Sequence, residues 1–431
     1  MPALQCNQRT RGIILFSLVA IAVTIATVVA VTWDTIDCDK LPRGSAALRS
    51  SPVFDGHNDL ANTIYELVNN NVSKFDFEKN TTDDPVWGIK ACKECMTDYP
   101  RLVKGSVGAQ FWSAYVNCKT QYKDAVPATL RQIDVIKRLV NKYKGLRLAT
   151  NHKEVQDIWD AHQIASFIGV EGGHSIDSSL AILRIYYDLG VRYMTLTHTC
   201  NTPWADASPA LGKPVHNLTE FGKKVVLEMN RLGMVVDLSH VSHNVMREAL
   251  NVTKAPLMFS HSSVYAICNH HRNVPDDVLL QLKKNDGIIM INFNNDFVNC
   301  NKSRNATLED VVEHINYVRE LIGVDHVGLG ADFNGISEPP VGLEDVSKYP
   351  AIFDRLYKHR EDELAWTKDD LEKLASRNML RVLERVEKVS ETESKTTPLE
   401  DVINVDELKF AQKQEGLTPG SCQTTQEWTD Q

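Results

Sequence analysis

Acidic and imidazole side chains recur where short apolar runs stop. Val53-Phe54 leads into Asp55-Gly56-His57-Asn58-Asp59, and residues 165–170 lead into Glu171-Gly172-Gly173-His174. Residues 193–196 are followed by Thr197-His198, 234–238 by Ser239-His240, 256–259 by Ser260-His261, and 327–329 by Gly330-Ala331-Asp332. Imidazole and carboxylate donors suit Zn²⁺ or a similar divalent ion, and such an ion can make water nucleophilic at neutral pH. A single His after a strand is usually a hydrogen-bonded structural residue; its repetition after five of eight runs favours a shared site. His57 and Asp59 stand two apart, as neighbours on one strand face do, so both can reach one ion. Asp55 shares that face one step deeper and reads as outer support or as structural. His174, after two glycines, reads as a loop or supporting group. Asp237 is an alternative ligand, with His240 better placed at the end of its run. The remaining histidines, including His152, His162, His243, His270, His271, His314, His326 and His359, lack this context and are expected at the surface.

Side chains so far apart need a scaffold that gathers strand ends, because His57 and Asp332 are separated by 275 positions (332 minus 57). The apolar runs at 53–54, 111–116, 165–170, 193–196, 234–238, 256–259, 287–292 and 327–329 are near-continuous in hydrophobicity, as buried parallel strands are. The run at 111–116 is the least distinct. Amphipathic stretches lie between them. Residues 218–232 put Phe221, Val225, Met229 and Leu232 on one helix face, with Gly233 at the C-terminal cap. Pro275-Asp276-Asp277 opens another helix with acids at the positive end of its dipole. Eight strands alternating with helices predict an α/β fold, a (β/α)8 TIM-type barrel, whose reactive groups belong on the C-terminal rim.

The 431 residues are 43% hydrophobic and 24% charged, which excludes wholesale disorder. Lys and Arg number 47 against 56 Asp and Glu, for a net charge of −9, so no nucleic-acid partner is expected. Residues 13–32 carry no charge, Pro or Gly and would span about 30 Å as a helix, the thickness of a bilayer core. A cleaved signal usually has an apolar core of only about 7–15 residues, so this run reads as an uncleaved anchor. Arg9 and Arg11 precede it and place the N-terminus in the cytosol, with Trp33 at the interface. The expected topology is type II single-pass, in the plasma membrane or a secretory-pathway membrane, with a lumenal or extracellular body. The expected organisation is a cytosolic tail at 1–12, the anchor at 13–33, a stalk at 34–50, the barrel at 51–388 and a C-terminal extension at 389–431. No apolar tail of the kind that directs a GPI anchor ends the sequence. Six N-x-[ST] sequons, at Asn71, Asn80, Asn217, Asn251, Asn301 and Asn305, suit a glycoprotein. Of nine Cys all but Cys6 fall outside the cytosol under this topology, where disulfides persist. Spacing alone does not give their connectivity.

Several longer segments resemble the membrane (renal) dipeptidases: 55–60 (DGHNDL), 169–178 (GVEGGHSIDS), 195–206 (TLTHTCNTPWAD), 259–263 (FSHSS), 272–277 (RNVPDD) and 343–350 (LEDVSKYP). The likeness runs from about Ser51 to Cys422. It implies a zinc metallopeptidase on a (β/α)8 barrel with two zinc ions per subunit. By this resemblance His57 and Asp59 hold one ion, His240 and His261 the other, and Glu171 bridges them. His198 would contact the scissile carbonyl, and Arg272 would pair with the free carboxylate of a dipeptide. Asp332 would handle the proton beside a hydroxide bridging the two metals. Implied substrates are dipeptides such as cysteinyl-glycine, conjugates such as the cysteinyl leukotrienes, and dehydropeptides. The resemblance also implies disulfides Cys118–Cys200 and Cys268–Cys300, and a link between subunits through Cys422, hence a disulfide-linked homodimer. Cys38, Cys92 and Cys95 have no counterpart; a Cys92–Cys95 bridge and a second intersubunit link at Cys38 both stay open.

Three features depart from the family pattern. The chain carries an N-terminal apolar run where vertebrate members commonly use a C-terminal GPI anchor. Asn334 stands where a second Asp often follows the Asp-Phe pair, so pH dependence or metal affinity is open to change. His270-His271 precedes Arg272 and bears on specificity. Two other readings compete. A different amidohydrolase, such as a deaminase or cyclic-amide hydrolase, would ordinarily open with His-x-His rather than His57-Asn58-Asp59. A non-catalytic surface receptor on an inactive barrel would have no need of the complete ligand set.

Overall fold

The computed structural model describes residues 44–208, 216–358 and 365–418. The expected tail and anchor, most of the stalk, Cys38, His359 and Cys422 lie outside them. Among the described residues no helix is long and apolar enough to cross a membrane. Nine parallel strands of the described residues form one sheet: β1 (Val53–Asn58), β2 (Val107–Tyr115), β3 (Leu146–Leu148), β4 (Ile164–Glu171), β5 (Val191–Thr195), β6 (Val235–Asp237), β7 (Met258–Ser262), β8 (Ile288–Ile291) and β9 (Val327–Leu329). Eight of them close into a barrel in the order β2-β1-β9-β8-β7-β6-β5-β4, with β4 pairing back to β2 from Ala109↔Ala165 to Tyr115↔Glu171. β3 is an extra strand on the edge of β4 at Leu146↔Ile164, below the point where β5 starts to pair at Ile168.

All eight expected runs are barrel strands. β2 starts at Val107, ahead of the expected run, because Gly108 and Gln110 interrupt its hydrophobicity while fitting the interior. Gly108 lies against Pro52 and Trp159, and Gln110 Nε2 donates to Asp55 Oδ2 at 2.8 Å. The lumen is filled by aromatic rings. Phe54, Phe111 and Phe167 pack with centroids 5.1–5.5 Å apart, and Tyr193 sits 4.8 Å from Phe111. Helix Asn378–Glu393 closes this cluster with Met379, Val382, Leu383 and Val386. A plugged lumen leaves the C-terminal strand ends as the open face.

The predicted helices form where their caps allow. Glu220–Leu232 begins after Thr219, whose side chain accepts from Gly222 N, and ends at Gly233 with φ +85°, a left-handed conformation that glycine adopts without penalty. Asp276–Asn285 follows Pro275. Disulfides join Cys118 to Cys200 and Cys268 to Cys300, as the resemblance implied, and Cys92 pairs with Cys95. Of the sequon asparagines, Asn217 is half-buried and the other five are exposed.

Candidate active site and metal centre

Glu171, the last residue of β4, stands at the centre of the rim. Its Oε2 lies 3.5 Å from His57 Nε2, and His57 Nε2 lies 3.1 Å from Asp59 Oδ2. Its other oxygen, Oε1, lies 3.1 Å from His240 Nε2 and 3.5 Å from His261 Nε2. The two imidazole nitrogens are 2.9 Å apart. Donors bonded at zinc-like lengths in a tetrahedron stand about 3.3 Å apart, so each group has the spacing of ligands around one ion. His198 Nε2 reaches to 3.8 Å of Glu171 Oε1, and Asp332 Oδ1 to 3.9 Å of His57 Nε2. All of these side chains, from six strand ends, thus converge.

Local geometry explains how they arrive. His57 and Asp59 do not share a strand face. Between Asp55 and Asn58, β1 spends three steps where β2 spends two, from Gln110 to Trp112, and this irregularity breaks the alternation. Asp59 lies past the strand, at the N-cap of helix Leu60–Val68, and the two side chains meet through the turn. Asp55 accepts from Ala331 N at 2.9 Å and from Gln110, so it joins β1 to the turn that carries Asp332. His240 adopts φ +68°, and its carbonyl is held by Thr197 Oγ1 and Ser208 N. Asp332 also has φ +68°. Left-handed backbone at non-glycine residues is uncommon and clusters at functional sites.

A set of groups that sequence reasoning missed aims the imidazoles. Tyr193 Oη lies 2.7 Å from His57 Nδ1. Gly169, its partner in β4, makes room: a Cβ there would stand 2.1 Å from the Tyr193 ring. Ser260 Oγ lies 2.7 Å from His261 Nδ1 and donates to Asp237 Oδ2 at 2.6 Å. Asn292 Nδ2 donates to Asp332 Oδ2 at 3.0 Å, and Ser113 Oγ donates to Glu171 Oε2 at 3.3 Å. With Nδ1 engaged, His57 and His261 offer Nε2 to the cluster. Hydroxyl and amide residues inside otherwise apolar runs were the available signal, since a buried polar group needs a partner.

Asp237 is engaged away from the cluster. Its oxygens accept from Thr195 Oγ1, Ser260 Oγ, Ser239 N and Ser260 N, which leaves it a structural anchor. His174 is buried, with Nε2 donating to Val116 O. His314 and His326 are buried too, contrary to the surface expectation, because backbone partners satisfy their rings. Asn334 turns its amide to Thr63 Oγ1 at 2.9 Å.

The charge pattern suits a cation. Burial, with Asp59 and Glu171 adding to it, pushes the Asp332 carboxyl well above its usual range, and burial raises Glu171 as well. Burial opposes charge on His57, yet Tyr193, Asp59 and Glu171 outweigh it and raise its affinity for a proton. A pocket that draws a proton onto a buried imidazole attracts a metal ion for the same reason. Burial keeps His198, His240 and His261 neutral, which is the form that ligates. Asp59 Oδ1 and His240 Nδ1 are buried without a partner among the described residues. Among the described residues the donor set of the rim therefore fits divalent metal in three overlapping groups, His57/Asp59/Glu171, Glu171/His240/His261 and His57/His261/Asp332. Beside them the Arg272 guanidinium is buried, with both Nη atoms unpartnered among the described residues, and burial lowers its pKa to about 10.

The family model for membrane dipeptidase, peptidase family M19, matches residues 42–397. The chain belongs to that family. It is 43% identical over 366 residues to dipeptidase aclJ of Aspergillus oryzae, covering 81% of this chain and 82% of that relative. It is 41% identical over 366 residues to dipeptidase 3 of Macaca fascicularis, covering 84% of this chain and 70% of the relative. Among solved structures, dipeptidase AC, an M19 metallopeptidase, superposes with TM-score 0.67 at 26% identity, covering 78% of this chain and 98% of that one. A metallopeptidase from Rhodobacter sphaeroides, liganded with a phosphinate mimic of the dipeptide L-Ala-D-Ala, gives TM-score 0.66 at 25% identity, covering 78% and 99%. This M19 chain is a metallo-dipeptidase, a metal-dependent hydrolase of dipeptides.

Proposed function

We propose that this M19 dipeptidase works with two zinc ions per subunit, His57 and Asp59 holding one, His240 and His261 the other, and Glu171 shared between them. The observation that carries the reading is the Glu171 carboxylate, whose two oxygens face two different ligand groups. Zinc so held acidifies a water and polarises a peptide carbonyl. The chain's own residues do the rest. His198 Nδ1 faces the Thr199 hydroxyl at 3.2 Å, and a neutral ring protonated at Nε2 donates to the carbonyl oxygen as charge builds there. Asp332, held by Asn292 Nδ2 beside the cluster, takes the proton of the attacking water and returns it to the leaving amine. Arg272 receives the free carboxylate in a two-pronged contact. That contact restricts substrates to those with a single residue beyond the scissile bond, such as cysteinyl-glycine, cysteinyl leukotrienes and dehydropeptides.

By the same reading the barrel, 51–388, lies outside the cytosol. It is carried on the 13–33 type II anchor and the 34–50 stalk, glycosylated at its sequons, and joined as a homodimer through Cys422 in the 389–431 extension. Metal analysis of the purified protein should return two zinc ions per subunit. Glu171→Gln keeps the size but loses the charge. Dipeptide hydrolysis should fall by about 10²-fold or more, with zinc content below two. Full rate and full zinc in that variant would put the chemistry elsewhere.

A further inference from the structure

Arg272 is 4% exposed and carries its charge into the site with no hydrogen-bonding partner on either Nη among the described residues. A long, desolvated guanidinium has many rotamers to lose, so something must hold it. The Phe297 ring does so directly, with Arg272 Cζ 5.2 Å from its centroid, within the range of a cation–π contact. Phe297 lies in turn against the His270 ring, centroids 4.6 Å apart and planes at 32°. His270 Nδ1 accepts the Arg272 backbone N–H at 3.2 Å. Asn273 Nδ2 donates to Cys268 O and to Phe297 O, each at 2.8 Å, and the Cys268–Cys300 disulfide ties the same two segments covalently. Residues 268–273 and the short helix Asn295–Val298 therefore form one clasp around the guanidinium.

We infer that Phe297, set by this clasp, is a positioning residue that fixes Arg272 for the substrate's carboxylate, and so governs the demand for a free C-terminus separately from the metal chemistry. The inference rests on the reading of Arg272 as the carboxylate partner. It also gives His270, which the metal site does not use, a place: its ring backs Phe297 and its nitrogen holds the loop backbone.

The test uses the full-length, zinc-loaded enzyme with a dipeptide and the same dipeptide as its C-terminal amide. Phe297→Leu retains apolar bulk and removes the aromatic face. KM for the dipeptide should rise about 3- to 30-fold with kcat within about twofold, zinc content unchanged, and hydrolysis of the amide unaffected. Phe297→Trp should restore the low KM. Arg272→Met sets the scale and should abolish the preference for carboxylate over amide. If Arg272→Met does so while Phe297→Leu leaves KM unmoved, the positioning role is wrong and the carboxylate reading stands. If Arg272→Met leaves the preference intact, the carboxylate reading fails and the inference with it. Loss of zinc or of kcat in Phe297→Leu at unchanged KM would show that the ring only packs, and would overturn the inference.

Discussion

At His57 one phenolic oxygen decides which ring nitrogen faces the cluster. Tyr193 Oη engages Nδ1 at 2.7 Å inside a fully buried setting, and Gly169 leaves space for the ring beneath. Tyr193→Phe keeps the ring and strands the imidazole N–H. The expected outcome is about a 10- to 100-fold loss of metal affinity or of kcat/KM, measured by zinc titration against a chelator and by dipeptide hydrolysis. Unchanged zinc affinity and rate would show that the hydroxyl does not orient the ligand. The types of the converging residues were legible because each ends an apolar run. The role of Tyr193 was not, because its partner is 136 positions away: a hydroxyl inside an apolar run signals that some partner exists without saying which. Asp237 could be set behind His240 from the sequence but not given its role: an acid at a strand end stays an alternative ligand until its four hydrogen bonds to β5 and β7 and the intervening turn are known.

The turn after β9 is the element on which the rim is built. Pairing between β1 and β9 continues past the end of β9 through the bridge Asn58↔Phe333, and past the end of β1 through the bond from Asp59 N to Phe333 O at 3.0 Å. The turn closes with Gly335 N donating to Asp332 O at 3.0 Å, and Asn334 sits at φ +68°. Gly335 has no room for a side chain: a Cβ would meet Asp59 Oδ2 at 2.4 Å and Asp332 Oδ1 at 2.5 Å. Gly335→Ala must therefore displace both carboxylates. We expect about a 10²-fold loss of kcat/KM with the circular dichroism spectrum unchanged, since a displacement near 1 Å at reacting groups has that cost. Parent-like kinetics in this variant would mean the turn yields without disturbing either acid. The barrel order followed from the alternation of runs, but two features of the elements did not. The irregularity in β1 depends on its neighbour's register, and β3, Leu146-Arg147-Leu148, has an exposed Arg at its middle and so makes no continuous apolar run.

Across the whole molecule, His314 joins parts that the metal site needs kept together. It is 0% exposed on helix Leu308–Ile322. Its Nδ1 accepts from Val264 N, just beyond the strand carrying His261, and its Nε2 donates to Val298 O, beside Phe297; both distances are 2.9 Å. A second proton would set N–H against N–H at Val264. Burial accordingly lowers its pKa from 6.5 to about 4, against the smaller opposing effects of Val298 O and Asp310. Its position between Val311, Ile315 and Val318 on one helix face was a legible sign of burial, and the surface expectation overlooked it. Because the folded pKa lies below the unfolded one, the unfolded chain binds more protons between about pH 6.5 and pH 4. Stability should thus fall as pH drops through that window and level off beneath it, by up to about 3 kcal/mol from this residue. His314→Gln has no such titration. Its urea-unfolding midpoint should start lower at pH 7 and then change less than the parent's between pH 6.5 and pH 4. If both proteins lose stability in parallel over that interval, the acid sensitivity of the fold resides in other groups.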